Sequence, residues 1–378
     1  MKQGWRSKKL GDVCEVIAGQ SPKGEYYNSD GVGLPFYQGK KEFTGKYIGL
    51  PKKWTSVTTK EALKDDVLMS VRAPVGPVNF STQRICIGRG LAAIRTGSLI
   101  NKEFLYNFLV NHENQIVGNT GAVFNSINQT QIKSIPIPVP PLEEQKQIVA
   151  KLDQCFEAID KAKANAAKNL ENAKELFQSK LNEIFSQKGE GWVEKKLGAA
   201  CLITMGQSPK GTSYNQEGEG VPLINGPVEF GKDSFDKTIK SKFTTEPTKM
   251  CRQGDLILCV RGSTTGKINI AGFDACIGRG VASIRFDQNQ RWLDYFIRSK
   301  RNEIYSLGTG STFPNVSRTI LSKLPFLIPP VEQQNRLVET MNKLLSSTNL
   351  LQVKYQQELN FLEELKKSIL QKAFEGEL

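Results

Sequence analysis

The chain has 378 residues, with 51 Lys and Arg against 38 Asp and Glu, a formal charge of +13, one histidine and seven cysteines. Such a length supports two or more domains, and such a charge points to an acidic partner. A lone histidine, His112, and cysteines that form no C-x-x-C pair exclude most metal-site and histidine-based acid–base chemistry.

The opening segment "MKQGWRSKKL" lacks the apolar core of a signal peptide, and no run approaches the ~20 apolar residues of a membrane span. A soluble, cytoplasmic protein with buried, reduced thiols is expected.

Residues 1–141 alternate short apolar runs such as "KYIGL" and "DVLMSVR" with Gly- and Pro-rich turns, the pattern of a mixed α+β domain. Residues 142–187 contain neither proline nor glycine and predict one continuous helix. The same succession then repeats, with a second domain at 188–330 and a second helix at 331–378. "WRSKKLGDVCEVIAGQSPKGEYYN" (5–28) returns as "WVEKKLGAACLITMGQSPKGTSYN" (192–215), "CIGRGLAAIR" (86–95) as "CIGRGVASIR" (276–285), and "IPIPVPPLEEQKQIV" (135–149) as "LPFLIPPVEQQNRLV" (324–338). The whole chain is one unit written twice.

Both helices begin after a Pro-Pro pair (Pro140-Pro141 and Pro329-Pro330), which suits a first turn and no helix interior. Apolar or small residues recur near the coiled-coil spacing, from Ile148 and Leu152 to Ala173 and Leu176 in the first helix, and from Leu337 and Met341 through Leu351 and Tyr355 to Ile369 in the second. About 46 helical residues span ~69 Å, whereas a 143-residue domain is only ~37 Å across. The second domain cannot bridge a parallel pair, so antiparallel helices are expected. The fold class is therefore α+β: two mixed α/β domains joined by two long antiparallel coiled-coil helices in a pseudo-twofold tandem repeat.

The positive charge is confined to the domains. Residues 1–141 carry +8 and 188–330 carry +7, while the helices together carry −2. Two basic heads on a nearly neutral rod suit duplex DNA bound at two half-sites. Arg72 and Arg261 follow strands and precede the turns "APVGP" and "GSTTG", where a guanidinium reaches guanine or phosphate. Lys23, Lys40, Lys41, Lys52 and Lys53 lie in loops interleaved with Tyr26, Tyr37 and Trp54. Each is either a phosphate ligand or a solvated surface lysine. Arg89 and Arg279, inside "IGRG", either contact DNA or cap neighbouring carbonyls, and the glycines around them suit a positive φ.

The loop "GQSPKG" (19–24 and 206–211) lacks Walker spacing. "GSTTGK" (262–267) is one residue short and is followed by Ile268 where a magnesium-binding hydroxyl is needed. Nucleotide hydrolysis is not expected. Lys23, Lys210 and Lys267 remain candidate backbone contacts.

Two domains, each followed by a helix entered through Pro-Pro-x-Glu-x-Gln, together with the duplicated "GRGxAxIR", resemble the specificity subunit of type I restriction-modification systems. The resemblance spans the full chain. It implies that each domain is a target recognition domain for half of a split duplex target. The helices would be spacers that set the distance between half-sites and dock two methyltransferase subunits, with motor-nuclease subunits joining them. Leu142, Gln145, Val331 and Gln334 at the helix starts are the candidate docking contacts. No cofactor is expected in this chain; S-adenosylmethionine, ATP and magnesium would sit on the partners, and no catalytic residue or metal ligand is expected here. Gln38 and Asn225 occupy matching stretches ("FYQGKKEF" and "LINGPVEF"), where an amide can pair bidentately with adenine. A type IIB-like specificity subunit and a coiled-coil adaptor without a DNA role are the competing readings.

Overall fold

The apolar runs of each half pair into two small sheets in a computed structural model that describes residues 4–113, 126–309 and 314–378. In the first half, a four-stranded antiparallel sheet runs in the order Cys14–Ala18, Leu91–Thr96, Val67–Ser70, Val78–Phe80. A five-stranded sheet is built round the parallel pair Leu34–Tyr37 and Ile85–Ile87, with the short strands Tyr27–Asn28, Trp54–Thr55 and Glu61–Ala62 beside them. Helices Lys102–His112 and Gln129–Ser134 start at Asn101 and Asn128, whose side chains accept from the free backbone N–H groups of the first turn. Strand Arg6–Lys9 pairs with Pro136–Val139, from Arg6 opposite Val139 to Lys9 opposite Pro136. The chain enters and leaves this head at one point.

The second half repeats the plan. Its four-stranded sheet is Leu202–Met205, Val281–Arg285, Leu256–Cys259, Ile268–Ile270; its parallel pair is Val221–Ile224 with Ala275–Ile277; its closing pair is Val193–Lys196 with Pro325–Ile328. Each four-stranded sheet carries the same ion pair, a buried aspartate met by a half-buried arginine. Asp66 accepts from Arg95 Nε and Nη2 at 3.0 and 2.9 Å, and Asp255 accepts from Arg285 Nε and Nη2 at 2.6 and 2.8 Å. The arginine that ends "GRGxAxIR" is thus committed to the frame.

The long helices run Leu142–Ser186 and Val331–Glu375. Contacts divide the chain into two units, residues 1–167 with 356–378 and residues 168–355. In the first unit Asp160 pairs with Lys366 at 3.0 Å and Lys163 pairs with Glu363, so partner numbers fall as residue numbers rise and the helices are antiparallel. Ile148 and Leu152 share the head's core with Leu370, Ala373 and Phe374. In the second unit Phe177, Leu181 and Phe185 share a core with Val338, Met341 and the head's Trp292 and Tyr295.

The predicted apolar seam holds from Ile148 to Ala173 but then shifts: Leu176 is exposed and Phe177 is buried in its place. The cause is an added partner. Phe177 packs edge-on against Tyr295 with centroids 5.8 Å apart, and Phe185 lies 4.6 Å from Trp292, so this end of the helix follows the head as well as the other helix. Leu351, expected in the seam, is likewise exposed.

Gln145 and Gln334 are fully buried, which corrects their expected role as docking contacts. Gln145 Nε2 donates to Leu99 O and Pro140 O at 2.9 and 2.8 Å, while its Oε1 accepts from Asn101 N at 2.8 Å. Gln334 Nε2 donates to Pro329 O at 2.8 Å. These amides bolt the first helical turn to the head, and a side chain so enclosed has no face for a partner. Gln145→Ala should lower stability by about 1–3 kcal/mol through the unpaired groups it leaves, measured by urea denaturation of the full chain. A change within ±0.5 kcal/mol would contradict the bolt. Leu142 and Val331, by contrast, are exposed.

Candidate nucleic-acid interface

The repeated motifs meet at one place in each head. Gly19 N donates to Leu91 O at 2.9 Å and Gln20 N to Ile87 O at 3.0 Å, so "GQSPKG" lies across the "GRG" turn; Ser21 Oγ accepts from Arg89 N at 3.3 Å. A third loop joins them where Gly90 N donates to Gln38 O at 3.0 Å. In the second head Gly206 N donates to Val281 O, Gln207 N to Ile277 O and Arg279 N to Ser208 Oγ, at 2.9, 2.9 and 3.2 Å.

The glycines here serve close approach. A Cβ on Gly19 would stand 2.2 Å from Gly88 O, and one on Gly90 would stand 2.4 Å from Gln38 O. Neither "GRG" glycine has the positive φ expected from the sequence; the left-handed glycines lie elsewhere, among them Gly76, Gly262 and Gly266.

This interlock decides what the loops can bind. The N–H groups of Gly19 and Gln20 are spent on backbone carbonyls, and those of Thr265, Gly266 and Lys267 donate to Gly262 O, Cys259 O and Thr264 O. Both "GQSPKG" and "GSTTGK" thus hold these amides back from a phosphate nest. What they offer is exposed side chains. Lys23, Lys210, Arg89, Arg279 and Lys267 are all exposed.

Arg72 and Arg89, predicted separately, come together. Val71 N donates to Gly90 O at 3.0 Å, and both arginines line a cavity of about 400 Å³ with Asn128 and Gln129. Arg261 is exposed beside its own turn through Val260 N to Gly280 O at 2.9 Å. Gln38, Lys40, Lys41 and Lys53 are exposed on the loops that flank the first interlock. Gln38 and Asn225 are not equivalent in reach. Gln38 is exposed, whereas Asn225 is half-buried with its Oδ1 pressed against Gly278, where an added Cβ would stand 1.7 Å away.

Lys242 was not legible as a candidate. Its Nζ lies 5.6 Å from the Tyr214 ring centre, as Lys53 Nζ lies 5.7 Å from that of Tyr27. Both lysines sit one residue before paired short strands, Trp54–Thr55 and Phe243–Thr244, so the signal was the shared strand register inside segments of divergent sequence.

Six of the seven cysteines are buried, and Cys155 and His112 are half-buried. Burial pushes the thiols of Cys14 up to about 11 and those of Cys201, Cys251 and Cys259 up to about 12, which keeps them protonated and poorly nucleophilic. Burial also lowers the pKa of His112, which stacks on Phe108. Among the described residues no group of three or more His, Cys, Asp or Glu could hold a metal, and no helix is long and apolar enough to cross a membrane.

Comparison with known proteins agrees with this arrangement. The family model of the type I restriction modification DNA specificity domain matches twice, at residues 2–169 and 189–360. The putative type I restriction enzyme MjaX specificity subunit of Methanocaldococcus jannaschii is 39% identical over 186 residues, which is 47% of this chain and 42% of that protein. The StySPI specificity subunit of Salmonella potsdam is 25% identical over 424 aligned positions, covering 100% of this chain and 90% of the relative. The crystal structure of the HsdS subunit from Thermoanaerobacter tengcongensis, 25% identical, matches with a TM-score of 0.71 over 100% of this chain and 98% of that one. A chain from a structure titled for complex assembly and conformational transition of the type I R-M system, 26% identical, matches with a TM-score of 0.82 over 100% and 99%. With a specificity domain in each half and the same fold along its whole length, the chain belongs to the family of type I restriction-modification specificity subunits.

Proposed function

We propose that this chain is a non-catalytic subunit that recognises a bipartite duplex DNA target, one half per head, and assembles with methyltransferase and restriction subunits. The observation that carries the reading is the duplicated interlock, which presents exposed cations at matching positions of two heads: Lys23, Arg72 and Arg89 in one, Lys210, Arg261 and Arg279 in the other. Arginine and lysine on rigid turns supply phosphate contacts and guanine readout, while sequence choice falls to the divergent loops that carry Gln38, Lys40 and Lys41 in one head and Asn225 in the other. The heads hold the duplex in register, and the chemistry belongs to the partners. S-adenosylmethionine, ATP and magnesium would bind there. Leu142 and Val331, exposed at the helix starts, remain the docking contacts proposed for two methyltransferase subunits.

A hybrid in which residues 1–141 come from another family member, expressed with the partner genes and read by long-read methylation sequencing, should carry modified adenine in a split motif altered in one half only. Both halves changing together, or no modified motif from a soluble wild-type complex, would refute the assignment.

A further inference from the structure

The end of the first long helix and the helices Gln290–Ser299 and Arg301–Leu307 enclose a pocket of about 480 Å³. Arg298 and Arg301, both half-buried, line it with Gln178, Asn182 and Ser186. Neither guanidinium has a hydrogen bond or ion pair to any described residue. The lining's one carboxylate, Glu303, is taken by Lys300 at 2.8 Å. Desolvation and the neighbouring charge of Arg301 depress the Arg298 pKa.

The first unit provides an internal control. A larger pocket of about 780 Å³ occupies the corresponding place there, between Val110, Glu113 and the second helix's Lys367, Gln371 and Glu375. Val110 stands for Arg298 and Glu113 for Arg301. Even the neighbouring turn is repeated: a Cβ on Gly266 would lie 3.0 Å from Arg301 O, and one on Gly76 would lie 2.8 Å from Glu113 Cγ. The fold therefore makes this pocket without arginines. Two partly desolvated guanidinium groups with no partner among the described residues are a cost that packing does not require, which is the mark of a site waiting for an anion. The cations also continue outward. Lys267 follows Gly266, is exposed, and acts with Arg301 on the same buried Cys259.

We propose that Arg298 and Arg301, with Lys267 beside them, form an oxyanion pocket that takes a backbone phosphate of the duplex held by the second head, a contact that the first head lacks. The proposal rests on the DNA-binding function proposed above. A paired guanidinium site suits a phosphodiester's oxygens, and the run of cations leads to the turn after Arg261, not away from it. Such a contact adds affinity without adding sequence information.

The test titrates the full chain, assembled with its methyltransferase subunits, with duplexes containing or lacking the methylated motif, across a salt series. In the double variant Arg298→Gln/Arg301→Gln the slope of log K against log salt should be shallower by about 2, both duplexes should lose affinity together, and the methylated motif should be unchanged. Arg301→Gln alone should flatten the slope by about 1, and Glu113→Gln should leave it as it is. Arg298→Leu should raise the melting temperature of the free chain while weakening DNA binding, because it removes an uncompensated charge; a fall in both would mark a structural residue and overturn the site. An unchanged slope in a wild-type-like complex overturns it as well. Weakened subunit assembly with an unchanged slope would assign the pocket to a partner's carboxylate and overturn the phosphate. A wild-type complex without salt-dependent DNA affinity would instead sink the DNA-binding function itself.

Discussion

Gly206→Ala should destabilise the second head by about 3 kcal/mol or more, while Gly211→Ala, five residues on in the same "GQSPKG", should change stability by no more than about 0.5 kcal/mol. A Cβ at Gly206 would stand 2.1 Å from Gly278 O, 2.8 Å from Gly278 C and 2.8 Å from Ile277 O. All three are backbone atoms, so no side chain can swing aside, and relief must break the Gly206–Val281 or Gln207–Ile277 hydrogen bonds. Around Gly211 there is nothing within 4 Å. Urea denaturation of the two variants separates scaffold from ligand contact. If the loop were chiefly a binding element, both would fold like the wild type and differ only in DNA affinity.

Asp294→Asn should stabilise the second head at pH 8 and leave it nearly unchanged at pH 4–5. The Asp294 side chain is buried, accepts from Gln290 Nε2 at 2.9 Å and lies 3.7 Å from Arg291 Nη1. Burial outweighs those contacts and lifts its carboxyl from 3.8 to about 7. The folded protein therefore keeps a proton that the unfolded chain has already released between about pH 4 and pH 7, and stability falls as pH rises through that window. At pH 8 the penalty is on the order of 2–4 kcal/mol. Asparagine retains an acceptor for Gln290 and cannot ionise. Arg291 keeps its place over Phe235 and Tyr295, 4.3 and 4.8 Å from their ring centres. Urea denaturation at pH 5 and pH 8 is the check, and an equal pH dependence of both proteins would exclude the buried acid as its source.

The repeat, the two long helices and their starting points at Leu142 and Val331 were legible because each rests on a local rule: duplicated strings, absence of helix breakers, and proline at a first turn. The antiparallel pairing followed from chain length alone. What escaped was whatever depends on a partner distant in sequence. Gln145 looked like a surface helix residue, and only Leu99 and Asn101, more than forty residues earlier, make it a buried bolt. Arg95 and Arg285 share a motif with Arg89 and Arg279, yet Asp66 and Asp255 claim the former two while the latter stay exposed. Arg72 and Arg89 were each chosen singly, and the hydrogen bond from Val71 to Gly90 makes them one cluster.

The closing strands of each head also set how it would respond to force. Arg6 lies opposite Val139 and Val193 opposite Ile328, so the chain's entry and exit strands share one end of a short antiparallel ladder. Tension along the chain would load these rungs one after another, as in opening a zipper, rather than all at once in shear. The neck of a head would part at low force while the buried sheets behind it stayed closed. Each head would thus yield first at its closing ladder, ahead of the sheets behind it and of the helix start bolted to them.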